Sequence, residues 1–217
     1  MPNAESEGLW SSAGALQLDA LGWLEPHPAV SRWASPHQDE RPEGEAVSLL
    51  VVHSISLPRG VYGGPAVRDL FLGQLDAQSD PRFESLRGLR VSSHFFIDRE
   101  GQIHQFVSVQ RRAWHAGVSS FQGRSGCNDF SVGIELEGVD DEAFTPAQEQ
   151  QCLRLSLALA DGMPSLTWLA GHSDIAPGRK TDPGTGWNWG RFQQAIDQAL
   201  GERRSGRTIK YFFHQQI

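Results

Sequence analysis

The sequence predicts an α/β protein with a mixed central β-sheet flanked by helices on both faces, folded as a single domain. Three observations predict it. Apolar, β-rich runs at 47–53, 93–97, 103–107, 131–137 and 167–170 alternate with helical patterns at 145–161 and 189–200, as layered α/β folds require. Two of those runs are joined by Asp98-Arg99-Glu100-Gly101-Gln102, a glycine-containing hairpin turn, so the sheet cannot be wholly parallel. Finally, 217 residues with 39% hydrophobic and 21% charged side chains fit one well-cored soluble domain.

Taken in order, residues 1–18 are small, polar and acidic and read as a loose leader. Pro26, Pro28 and Pro36 favour extended chain, and 37–46 read as polar loop. Residues 47–53 are continuously apolar until His53, the pattern of a strand covered on both faces. A long connection, 57–90, follows; it holds a short helical pattern through Val67, Leu70 and Phe71, and connections of this length are usually functional or mobile. Residues 111–130 read as loop. In 131–137 the residues alternate, placing Val132, Ile134 and Leu136 on one side and Gly133, Glu135 and Glu137 on the other. Glu137 reads as a solvated surface charge. Thr145, Pro146 and Gln148 stand at N-cap, N1 and N3 of the helix they open. Phe192, Ile196, Ala199 and Leu200 give the last helix its apolar stripe. The domain is expected over 19–200; the tail, 201–217, carries Arg203, Arg204, Arg207 and Lys210 before Tyr211-Phe212-Phe213 and reads as a frayed end or a docking segment.

The net charge of −7 disfavours nucleic acid as a partner. No run is long enough to span a bilayer, and the first residues lack a basic and an apolar signal region, so a cytoplasmic protein with no membrane partner is expected. Cys127 and Cys152 read as buried thiols of a reducing compartment. A monomer is expected.

The chemistry concentrates in the loop Gly171-His172-Ser173-Asp174-Ile175-Ala176-Pro177-Gly178-Arg179-Lys180-Thr181-Asp182-Pro183-Gly184. Imidazole and carboxylate are both good zinc ligands, and a catalytic zinc takes three protein ligands and keeps a fourth position open. His172 and Asp182 therefore ask for a third ligand and a general base from elsewhere. His53 and Glu135, each on a predicted strand, are available. Singly, each of these side chains has an ordinary reading as a buried histidine or a surface charge.

Four separate blocks in order resemble one family. They are Leu50-Val51-Val52-His53-Ser54, Arg112-Ala113-Trp114-His115-Ala116-Gly117, Cys127-Asn128-Asp129-Phe130-Ser131-Val132-Gly133-Ile134-Glu135-Leu136-Glu137-Gly138, and the loop above. Over about residues 20 to 200 the chain is similar to the zinc-dependent N-acetylmuramoyl-L-alanine amidases of the second amidase family, in particular those acting on 1,6-anhydro-muramoyl peptides. The resemblance implies one catalytic Zn2+ held by His53, His172 and Asp182, with Glu135 as general base and Lys180 as electrostatic support for the oxyanion. Arg179 is a lesser candidate for that last role. It implies a muropeptide substrate contacted by Arg90, Trp114, His115, Arg124 and Asn128, cleaved at the amide between muramic acid and L-alanine in peptidoglycan recycling. Limiting the muropeptides that induce β-lactamase would follow. Ser54 stands where relatives carry Asn, and Gly126 where they tend to carry a basic residue; both touch substrate contacts more than metal or base. Rival expectations are a wall-degrading autolysin, a zinc-free peptidoglycan-binding module and a structural zinc protein.

Overall fold

The structure is a computed structural model that describes residues 14–202 and 208–212. Its strands, in chain order, are β1 (Val30–Arg32), β2 (Gln38–Asp39), β3 (Leu49–Ile55), β4 (Phe95–Ile97), β5 (Ile103–Gln105), β6 (Arg112–Ala113), β7 (Ser120–Phe121), β8 (Arg124–Ser125), β9 (Ser131–Glu137), β10 (Trp168–Gly171) and β11 (Lys210–Phe212). The helices are α1 (Ala66–Phe71), α2 (Pro146–Gly162), α3 (His172–Ile175) and α4 (Trp189–Glu202).

Seven strands form one sheet in the order β1-β5-β4-β9-β3-β10-β11. Among the described residues of this sheet only β4 and β5, the predicted hairpin, pair antiparallel; every other neighbouring pair is parallel, so the sheet is mixed. The central pair β3 and β9 runs in register from Leu49 opposite Ser131 to Ile55 opposite Glu137, which sets His53 opposite Glu135.

Side-chain alternation along that pair divides the molecule. Leu50, Val52, Val132, Ile134 and Leu136 point to the face covered by α2 and α4, in a core they share with Leu155, Leu159, Phe192 and Ile196. Burying each such side chain stabilises the fold by about 1.5–3 kcal/mol. On the other face, Leu49, Val51 and Ala170 pack with Ile175 of α3 and the 116–130 segment, while Phe96 packs against Val67, Leu70 and Phe71 of α1. Helices thus lie on both faces, but on the second they are short and leave room between them.

The start of α2 ties the core to the sheet ends. Thr145 Oγ1 accepts from the Gln148 N–H at 3.2 Å and Gln148 Oε1 from the Thr145 N–H at 3.1 Å, the expected reciprocal cap. The Gln148 amide donates onward to the carbonyls of Ile97 and Glu137, clamping the ends of β4 and β9.

Several sequence expectations change. Glu137 is no surface charge: it is 2% exposed, and its carboxylate accepts the backbone N–H groups of Gly63 and Arg99 at 2.7 and 3.1 Å. Its alternation was correct, but the 57–64 segment folds over that end of β9 and removes it from water. In the leader, residues 1–13 lie outside the described residues, yet Leu16 joins the core and Leu18 bridges to Leu24. The tail is not frayed at 210–212, which forms the edge strand β11 beside β10, with Phe212 against Phe121. Arg203, Arg204, Arg207 and Phe213 lie outside the described residues. The 37–46 and 111–130 loops each contribute to short ribbons, β2 with β6 and β7 with β8. Both cysteines are buried and unpaired, as expected.

Candidate metal centre and active site

His53 sits within β3, two residues before its end, and Glu135 lies beside it on β9. His172 begins α3 immediately after β10, where Asp174 Oδ2 accepts the Gly171 N–H at 2.7 Å and turns the chain. The loop then returns so that the Ser173 N–H donates to the Asp182 carbonyl at 2.9 Å, bringing Asp182 back over His172. Gly184 has φ of 76° and packs its Cα on the backbone of Asp140, where a Cβ would lie 2.2 Å from the carbonyl oxygen. Only glycine fits this close approach.

Side chains from two distant stretches of the sequence therefore converge. His53 Nδ1 is 2.9 Å from His172 Nδ1 and 3.4 Å from Asp182 Oδ2, and His172 Nδ1 is 3.0 Å from the same oxygen. All three residues are buried. Burial, reinforced by the neighbouring His172 ring, lowers His53 to about 4 and keeps its ring neutral. Burial opposes ionisation of Asp182, but the two imidazoles outweigh it and hold the carboxyl well below the usual range. The donor set is a neutral imidazole, a second imidazole and an anion, which suits a divalent cation such as zinc. Glu135 Oε1 lies 3.9 Å from His53 Nδ1, and its Oε2 is buried without a hydrogen-bond partner. Burial, then the charge of Asp182, raises its carboxyl well above the ordinary value. A buried, elevated carboxyl with one free oxygen beside a cation site is poised to exchange protons.

The group opens into a cavity of about 210 Å³ lined by Glu135, His172, Lys180 and Asp182 on the polar side. Leu57, Leu70, Phe71, Leu86, Leu89 and Val91 form an apolar wall, all from the long 57–90 connection or the residue after it. Lys180 faces this cavity, whereas Arg179 is committed elsewhere, donating to the Ala116 and Val118 carbonyls at 2.7 and 2.6 Å.

The expected substrate contacts scatter. Trp114 lines the cavity, with its indole N–H donated to Asp39 at 2.7 Å and its ring stacked on His37. Arg90 is exposed between the lining residues Leu89 and Val91. Arg124 is on β8, paired with Glu45 at 2.8 Å and lying over Phe130, away from the cavity. Asn128 Oδ1 accepts the N–H groups of His115 and Ala116, so it holds backbone. His115 touches the cavity, but both its ring nitrogens are bonded, to His53 at 2.9 Å and Ser131 at 3.1 Å.

Sequence reasoning missed Asp140. Its carboxylate accepts from Ser54 Oγ at 3.3 Å and from Thr181 Oγ1, the neighbours of His53 and Asp182, and so fastens together the two segments that carry those residues. This also gives Ser54 an internal partner at the cavity edge. No spacing rule links an Asp after one strand to residues 86 and 41 positions away.

Comparison with known proteins agrees with this geometry. A profile of the N-acetylmuramoyl-L-alanine amidase family matches residues 43–185. The 1,6-anhydro-N-acetylmuramyl-L-alanine amidase AmpD of Escherichia coli K12 is 51% identical over 178 residues, covering 82% of this chain and 96% of that protein. AmpD of Citrobacter freundii is 51% identical over 81% of this chain and 92% of its own. The crystal structure of the Se-Met AmpD derivative superposes with a TM-score of 0.78 at 50% identity, over 82% of this chain and 98% of that one. With its sheet order, its buried His-His-Asp group and these likenesses in agreement, the chain belongs to the N-acetylmuramoyl-L-alanine amidase family.

Proposed function

We propose that this amidase hydrolyses the amide between 1,6-anhydro-N-acetylmuramic acid and L-alanine in soluble muropeptides, with one catalytic zinc at His53, His172 and Asp182. The observation that carries the reading is the convergence of those three buried donors beside Glu135, in a chain about half identical to enzymes named for that reaction. When bound, zinc supplies a Lewis acid that acidifies a water to a pKa of roughly 7 and polarises the amide carbonyl.

The chain's own residues do the rest. Glu135, through its unpartnered Oε2, takes the proton of the attacking water and returns it to the alanine nitrogen as the C–N bond breaks. Its raised carboxyl makes it a strong enough base to receive that proton and an acid ready to release it. Lys180, on the cavity wall, supplies positive charge to the oxygen that becomes anionic. The Leu57, Leu86 and Leu89 side chains, still partly open to solvent, offer apolar surface to the sugar ring. Trp114, which also lines the cavity, offers an aromatic face, and the exposed Arg90, between lining residues Leu89 and Val91, is the candidate to meet a stem-peptide carboxylate. Arg124, Asn128 and His115 are engaged within the protein and are assigned no primary substrate contact.

Cleavage of soluble muropeptides for reuse places the enzyme in the cytoplasm, which accords with its two unpaired buried thiols. All the residues named lie on one chain, so a monomer suffices. The test compares anhydro-muropeptide with intact sacculi as substrate, before and after zinc removal. Zinc-dependent release of L-alanyl peptide from the soluble substrate, with little from sacculi, supports the reading. Preference for sacculi would make the protein a wall-degrading amidase instead.

A further inference from the structure

A buried chain of hydrogen bonds leads from the main chain to the metal-facing side of His53. Ser131 Oγ donates to the Cys127 carbonyl at 2.5 Å. A hydroxyl has one proton, so the contact between Ser131 Oγ and His115 Nε2 at 3.1 Å must run the other way, with the ring donating. His115 is 8% exposed and its ring partners, His53 and Ser131, include no carboxylate, so the ring is neutral and a proton on Nε2 leaves Nδ1 bare. That bare nitrogen lies 2.9 Å from His53 Nε2 and can only accept. His53 therefore carries its single proton on Nε2, and its Nδ1 lone pair points at His172 and Asp182.

The neighbouring residue does the same for the second imidazole. The Ala116 carbonyl lies 3.2 Å from His172 Nε2 and, as a pure acceptor, fixes the proton there, turning Nδ1 toward the cation site. Both residues of this dipeptide are pinned by Asn128, whose Oδ1 accepts the His115 N–H at 3.1 Å and the Ala116 N–H at 2.8 Å. The ring of His115 also has a seat made for it. A Cβ on Gly133 would come 2.7 Å from its Cγ and Nδ1, so β9 leaves out a side chain where the ring lies.

We propose that the dipeptide His115–Ala116 is the common support of both metal-binding imidazoles, with His115 as a positioning residue that sets the tautomer of His53. The inference rests on the zinc reading of the site, and it moves His115 and Asn128 from the substrate to the metal. Partners of this kind typically change metal affinity by about 10–100-fold when removed.

The test has two readouts. The tautomer of His53 is read from imidazole nitrogen shifts in the metal-free protein, and zinc affinity from competition with a chromogenic chelator. Wild type should show the Nε2–H form. His115→Leu should lose that preference and bind zinc about 10–100-fold more weakly. His115→Asn, whose side-chain oxygen can stand in for Nδ1 as acceptor, should restore most of the affinity. Should His115→Leu not fold, Ser131→Ala gives the same test more gently, by freeing the proton position of His115 while leaving every ring in place. Wild-type zinc affinity and an unchanged His53 tautomer in either folded variant would overturn the proposal. A wild-type protein that bound no zinc would defeat the metal reading alone, because the tautomer in the metal-free chain still decides the hydrogen-bond chain.

Discussion

β3 and β9 present two unlike surfaces to the two halves of the molecule. Toward α2 and α4 they offer Leu50, Val52, Val132, Ile134 and Leu136, all fully or nearly fully buried in one apolar core. Toward the other half they offer Val51, His53, Gly133 and Glu135, in register across the same backbone hydrogen bonds. The first face is held by area removed from water; the second holds buried polar groups, His53 with a partner on each ring nitrogen and Glu135 with one carboxylate oxygen unpartnered. A period of two lets adjacent residues serve packing and chemistry within 7-residue strands. The rigid face positions the reactive one, and the two should fail differently when altered.

The sharpest division is expected at Glu135. Glu135→Ala should lower kcat by about 10²–10⁴-fold while zinc content and thermal midpoint stay near wild type. Unchanged turnover would remove the site face from the chemistry. Lys180→Met should lower kcat by about 10²–10³-fold, with its effect mainly on kcat and little on zinc affinity. An effect on KM alone would make Lys180 a substrate anchor. On the opposite face the pattern should reverse. Leu136→Ala should destabilise the fold by about 2–5 kcal/mol in denaturant unfolding, yet leave kcat of the folded fraction within a few-fold. A large loss of kcat at unchanged stability would erase the distinction between the faces.

Two smaller effects probe the joints between them. Thr145→Ala removes the α2 cap and should cost about 1 kcal/mol without touching turnover. Glu137 gives a pH test. Burial raises its carboxyl above the ordinary value, against the two backbone N–H groups that lower it. A raised acid contributes stability that is complete below its unfolded value, about 4.3, and is lost as pH rises through the folded value. The melting temperature of Glu137→Gln relative to wild type should therefore climb by a few °C between pH 4 and pH 8. A flat difference would mean that the bonds to Gly63 and Arg99 offset the burial.

Legibility in the sequence followed the same division. Periodic features were plain: the continuous run before His53, the alternation around Glu135, the Asp98–Gln102 turn and the Thr145 cap all correspond to observed elements. Glu137 shows the limit of alternation, which fixes the side a residue faces but not what covers that side. His53, His172 and Asp182 were recognisable from four blocks in order, and the structure brings them together. The roles of Asn128, His115 and Asp140 were not, because each depends on partners brought near by tertiary folding. Asn128 is a carboxamide with any number of readings until its oxygen is found on the His115 and Ala116 amides. β11 escaped notice because three residues of edge strand carry no period of their own.

Titrating metal-free protein with Zn2+, while following release of L-alanyl peptide from anhydro-muropeptide, decides whether zinc at His53, His172 and Asp182 drives the reaction. If zinc at this site is catalytic, turnover returns in proportion to zinc and saturates at one equivalent per chain, and His172→Ala takes up no zinc and recovers no turnover. Full turnover by the metal-free protein, or by His172→Ala, would contradict it.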